Sequence, residues 1–99
     1  MARFSVYRAP QGDGYLLDVQ ADIMRHLNTR VVVPLIALGS APKPARSLNP
    51  IFVFNDVEYS MVTQFMAAVH TGVLKHEIAN AAARRDEIVN AIDLLLQGS

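Results

Sequence analysis

The chain has no cysteine, so it holds no disulfide, and a reducing compartment suits it. It is also short of charge: charged residues make up 18%, against about a quarter in ordinary soluble domains. Nine basic and nine acidic residues cancel, which leaves no positive excess for neutralising phosphates. The imbalance between halves is mild, with six basic and three acidic residues over 1–54 and three and six over 55–99. Neither half shows clustered Lys and Arg, so sequence-specific or general nucleic-acid binding through charge is not expected. Long apolar runs are missing too. The longest, Val31 to Leu38, is eight residues with Pro34 inside it, whereas a membrane span needs about twenty. The amino terminus, Met1-Ala2-Arg3-Phe4-Ser5-Val6-Tyr7, alternates from the start and lacks a signal-peptide core. These absences together point to a cytoplasmic protein with no membrane partner.

What is present is hydrophobic side chain, 52% of 99 residues. That length suits a single domain over residues 1–99, in which folding buries roughly two-thirds of the chain's surface. So short a chain cannot hide all its apolar groups. Some apolar surface is expected to meet a partner, and a homodimer is the plainest arrangement.

The patterning is mostly of period two. Phe4-Ser5-Val6-Tyr7 is β-prone and runs into a turn, Pro10-Gln11-Gly12-Asp13-Gly14, after which Tyr15, Leu17 and Val19 alternate with polar positions. Together these predict a hairpin. Arg30 to Leu35 is β-branched and suits a strand buried on both faces. Residues 39–50 hold three prolines, which removes them from regular ladders and predicts a flexible loop. Ile51–Phe54 and Val57–Met61 flank Asn55-Asp56, a pair that tolerates positive φ and suits a two-residue hairpin turn. Phe65–Val69 and Thr71–Leu74 are expected to add short strands.

From Arg84 the period changes. Ile88, Ala91, Ile92, Leu95 and Leu96 recur at three- and four-residue spacing, predicting an amphipathic helix. Asn80 is the nearest good capping residue, Asp86 and Glu87 suit an early turn, and Gly98 ends the element. The expected fold is therefore mainly β, a small SH3-like antiparallel barrel of five or more strands closed by one C-terminal α-helix.

No catalytic constellation emerges. His26, His70 and His76 lack metal-ligand spacing. Gly12-Asp13-Gly14 lies between strands and not ahead of a helix, and Leu38-Gly39-Ser40-Ala41-Pro42 is not a hydrolase elbow. Asp18 and Asp22 have no neighbouring base or ligand. A non-enzymatic protein without cofactor or metal is expected. Two segments stand apart. Ile23 and Met24 follow Asp22 just past a strand, where they either plug the barrel end or form a contact surface. The helix ends in Asp93-Leu94-Leu95-Leu96-Gln97-Gly98-Ser99, with Leu94 off the apolar stripe.

Four stretches in order carry a family resemblance. Asp18-Val19-Gln20-Ala21-Asp22-Ile23-Met24 resembles the Asp-Val-Gln-Ser-Asp-Ile-Ile segment of CcdB toxins, and Thr29-Arg30-Val31-Val32-Val33-Pro34-Leu35 resembles their Arg-Arg-x-Val-Ile-Pro-Leu strand. Arg85 to Leu94 is similar to their terminal helix, whose core reads Ile-x-Asn-Ala-Ile-Asn-Leu, and the amino-terminal Phe-x-Val-Tyr matches as well. The resemblance implies an SH3-like homodimer, neutralised by a CcdA-type antitoxin, that binds the DNA gyrase A subunit and traps gyrase joined to cleaved DNA. By position it implies a gyrase-binding set of Ile23, Met24, Asp93, Leu96, Gln97, Gly98 and Ser99. Ile23 and Met24 match the apolar pair, and Gly98 matches a glycine. Asp93 stands where the family has Asn, Leu96 for Phe, Gln97 for Trp, and Ser99 for a terminal Ile. Losing the Trp face removes up to about 2 kcal/mol of cation–π contact, and losing the Ile roughly 2 kcal/mol of burial. Together these amount to about a thousandfold in affinity. They motivate a rival expectation, a module that dimerises and binds antitoxin but hardly touches gyrase. Antitoxins of this type fold on binding, and residues 39–50 serve either as one of their contacts or as a stiffened connector.

Overall fold

Alternation at the amino terminus produces the first hairpin. In the computed structural model, which describes residues 2–98, β1 (Ser5–Arg8) pairs antiparallel with β2 (Tyr15–Asp18), Val6 opposite Leu17. A Cβ on Gly14 would lie 2.5 Å from the Leu35 carbonyl oxygen, so only glycine lets β2 begin this close to its neighbour.

That neighbour, β3 (Thr29–Ala37), organises the sheet. One side pairs with β2 along four residues; the other is shared by two strands. The hairpin of β4 (Ile51–Phe54) and β5 (Val57–Met61) brings β5 against Leu35–Ala37, and β6 (Ala67–His70) takes Thr29–Val32. Pro34, which has no N–H to donate, falls in the gap between these two ladders, where its carbonyl accepts from Val62. A last strand, β7 (Glu77–Asn80), joins the free edge of β1. The order is β4-β5-β3-β2-β1-β7 with β6 on β3, an antiparallel half-barrel.

Helix α1 (Arg85–Gln97) lays Ile88 and Ala91 against this curved sheet. They join Phe4, Val6, Leu17, Val33, Leu35 and Met61 in the main core, where each large apolar side chain contributes roughly 1.5–3 kcal/mol by burial. Val33 faces this core while Val32 faces a second cluster with Tyr7 and Leu74, so β3 is indeed buried on both faces. Burial there, reinforced by the charge of Glu77, pushes the Tyr7 hydroxyl above its ordinary range.

Local chemistry explains the element ends. Asn55 and Asp56 both take positive φ, the condition for the tight hairpin. Gly98 is left-handed at φ 74°, and its N–H closes on the Leu94 carbonyl at 2.9 Å. Asn80 caps neither element: its side-chain oxygen accepts from the Ala82 N–H just ahead of a short 3-10 turn (Ala82–Arg84) whose N-cap is Ala81, and α1 starts at Arg85 without a side-chain cap. Arg84 secures that start: its guanidinium binds Glu87, donates to the Ile51 carbonyl and lies 4.0 Å from the Phe52 ring centroid. The hydrogen bond from Arg84 holds the Glu87 carboxyl below its ordinary range, against a smaller opposing effect of burial.

Three expectations need correction. Thr71–Val73 is a 3-10 turn and not a strand; the His70 ring accepts from the Gly72 N–H, and Leu74 drops into the second cluster. β7 went unforeseen because Glu77-Ile78-Ala79-Asn80 offers one small inward residue and no period. The three-proline loop is pinned at its far end. Asn49 is buried, bonds Ala45, Met61 and Gln64, and sits beside Leu48, whose carbonyl accepts from the Thr63 hydroxyl.

Candidate protein-interaction site

Where β2 ends, the chain must leave the sheet and return as β3. Asp18 is the last paired residue, and Val19 adds one more bond to the Val31 carbonyl at 3.0 Å. A 3-10 turn (Asp22–Met24) follows, none of whose residues is buried. Ile23 is 78% exposed and Met24 47% exposed. They therefore do not plug the barrel, and the contact-surface alternative fits their placement. Leu27, which no sequence pattern marks, is 42% exposed in the same connection. Isolated exposed apolar residues are ordinary, but three in five residues of one connection form a patch.

The turn is held by polar contacts. The Asp22 carboxylate accepts from the Arg3 N–H at 2.8 Å, and the Arg3 guanidinium donates to the Val19 carbonyl at 3.0 Å. Arg3 is itself fixed through Phe4, whose positive φ of 71° is unusual for a bulky residue. Backbone bonds on both sides sustain it, from the Phe4 N–H to Asp18 and from the Ala81 N–H to the Phe4 carbonyl. Beneath lies a fully buried ion pair: the Arg30 guanidinium reaches the Asp18 carboxylate at 2.7 Å, with both side chains at zero exposure. Asp18, considered in the sequence as one of a carboxylate pair, is thus a structural anion, while Asp22 serves the turn.

The second expected segment is the end of α1. Ile88 and Ala91 are buried and Ile92 is half-buried, but Leu95 and Leu96 on the same stripe emerge, Leu96 to 68% exposure. The apolar stripe outruns the barrel it packs on. Asp93 and Leu94 are half-buried, Gln97 and Gly98 exposed, and Ser99 lies outside the described residues. Asp93 sits near the negative end of the helix dipole with no basic residue in the last turn, so this tip favours a cationic group on whatever meets it. Both segments lie at the surface, and Val19 and Ile92, which precede them in the chain, belong to the main core cluster. No hydrogen bond joins them among the described residues.

Elsewhere the surface offers concavities without evident chemistry. A hollow of about 560 Å³ between the β1–β2 turn and residues 34–37 of β3 carries one carboxylate, Asp13. Among the described residues, no His, Asp and Glu side chains gather as a metal site, and no helix is long and apolar enough to cross a membrane.

A family model described as CcdB protein matches residues 3–98. Solved structures share the fold, two of them as follows. An endoribonuclease in complex with its cognate antitoxin, from a mycobacterial species, is 19% identical with a TM-score of 0.76, over 97% of this chain and 94% of that one. The Mycobacterium tuberculosis toxin MazF-mt6 is 13% identical with a TM-score of 0.73, over 93% and 95%.

Proposed function

The chain belongs to the CcdB family of toxin–antitoxin toxins, and from that membership we propose that it binds the DNA gyrase A subunit and traps gyrase covalently joined to cleaved DNA. It acts in the cytoplasm as a homodimer, catalyses no reaction of its own, and is neutralised by a CcdA-type antitoxin. The similarity to an endoribonuclease solved with its cognate antitoxin supports an antitoxin partner, without bearing on its type. A toxin of this kind is a ligand with higher affinity for one conformation of its target, and it shifts the population toward that state.

The observation that carries the reading is the exposure of Ile23 and Met24 on a polar-anchored turn, the position of the family's apolar pair. Ile23, Met24, Asp93, Leu96, Gln97, Gly98 and Ser99 form the gyrase-binding set, with Leu27 as an added apolar neighbour. Full burial of Ile23 against a partner is worth roughly 1.5–3 kcal/mol, and Asp93 together with the helix end suits an arginine across the interface. A gyrase cleavage assay tests this. Supercoiled plasmid, gyrase and ATP with the protein should yield linear DNA after detergent and protease. Ile23→Arg should yield none, and added antitoxin should suppress it.

One observation favours a second reading. Gln97 and Ser99 replace the large side chains of the family tip, which suits a module that keeps dimerisation and antitoxin binding with little gyrase affinity. Absence of linear DNA alongside intact antitoxin binding would select it.

A further inference from the structure

A turn that buries nothing needs something else to hold its shape. Its leading residue, Ala21, supplies no side-chain cap. Its three backbone bonds, Met24 N–H to Ala21, Arg25 N–H to Asp22 and Leu27 N–H to Met24, run at 2.9–3.1 Å within an exposed segment. Such segments open locally at small free-energy cost unless tied down.

The Arg3–Asp22 contact ties down its start, and Gln20 ties down its end. Its carboxamide oxygen accepts from the Val31 N–H at 3.1 Å, and its carboxamide nitrogen donates to the Met24 carbonyl at 3.0 Å. The first contact completes the Val19–Val31 rung that the Val19 N–H begins, with a side chain standing in for a strand carbonyl. The second reaches across to the end of the turn. Only this orientation of the amide satisfies both neighbours, since one offers a donor and the other an acceptor. The backbone of Gln20 is engaged as well: its N–H donates to the Asp18 carboxylate at 3.0 Å, and its carbonyl accepts from the Arg30 guanidinium at 3.3 Å. Every polar group of Gln20 is used, and both backbone contacts end on the buried ion pair.

We propose that Gln20 is a positioning residue for partner binding: seated on the Asp18–Arg30 pair, it holds the Ile23–Met24 turn in its presenting conformation. This rests on the reading that the turn meets gyrase, but the conformational half of the claim stands separately. Fixing the turn beforehand raises the binding-competent fraction, and apparent affinity scales with that fraction.

The test uses the intact protein and two variants. Gln20→Glu keeps the acceptor for Val31 and sets an oxygen against the Met24 carbonyl; Gln20→Met fills similar space with neither group. Amide exchange across residues 22–28, thermal melting, and association kinetics with a purified gyrase A fragment are measured for each. In Gln20→Glu, exchange at Met24, Arg25 and Leu27 should accelerate about tenfold or more while the β1–β3 amides keep wild-type protection. The association rate should fall by a similar factor at a nearly unchanged melting temperature. Gln20→Met should behave alike. Unchanged exchange in the turn would overturn the proposal, as would acceleration spread evenly over the sheet with a lowered melting temperature, which would make Gln20 a general stability residue. Faster turn exchange in a protein whose wild type ignores gyrase would keep the positioning role and reject the gyrase reading.

Discussion

Arg30 and Asp18 are both fully buried, and the third guanidinium nitrogen of Arg30, Nη1, has no hydrogen-bond partner among the described residues. Such a pair adds little net stability, since the attraction between the two charges is offset by the cost of desolvating them. It is nonetheless costly to break singly. Arg30→Met should lower stability by about 3–5 kcal/mol, read by chemical denaturation, because it leaves the Asp18 carboxylate buried and unpaired. At the other end of the scale is Glu87, more than half exposed and paired with Arg84. Its folded pKa is depressed, so its stabilisation is present above the ordinary carboxylate value of about 4.3 and is lost as pH falls through the lowered folded value. Glu87→Gln should flatten the acid limb of a stability–pH profile and cost about 0.3–0.5 kcal/mol at neutral pH, the range for exposed helix pairs. Individual residues were unevenly legible. Gly98 and Asn55-Asp56 announce themselves through backbone conformations few residues adopt. Gln20 and Arg30 do not, because a side chain's hydrogen-bond partners depend on which strands become neighbours.

At the scale of elements, α1 divides into a packed part and a protruding part. Ile88→Ala should cost about 2–5 kcal/mol of stability through the cavity it leaves. Leu96→Ala, on an exposed turn, should change stability by less than about 0.5 kcal/mol and instead weaken partner binding, a contrast that melting curves and titration read together. The helix, the β1–β2 hairpin, the β4–β5 hairpin and a doubly buried β3 all follow from periodicity and turn chemistry. β7 does not, since Ile78 faces out and only Ala79 points inward; its existence depends on β1 having a free edge. Thr71–Leu74 misled for the reverse reason, its β-branched residues being spent on a 3-10 turn that delivers Leu74 to the second cluster.

At the scale of the whole molecule, nine large apolar side chains among the described residues remain exposed, and five of them gather in two segments, Ile23, Met24 and Leu27 after β2 and Leu95 and Leu96 at the end of α1, the kind of clustering that marks contact surfaces. Sedimentation should therefore return twice the 10.9 kDa chain mass at micromolar concentration, and a persistent monomer would count against the dimer. The outline of the candidate site, a turn after β2 and a helix tip, was readable as position. Its exposure was not: whether Ile23 and Met24 point into a barrel or away from it is decided by the path between two strands. Gyrase binding is tested most directly by titrating the protein against a purified gyrase A fragment from the same source. Submicromolar binding that falls at least a hundredfold in Ile23→Arg, with the fold intact, is the predicted result. No binding by a folded dimer would contradict it.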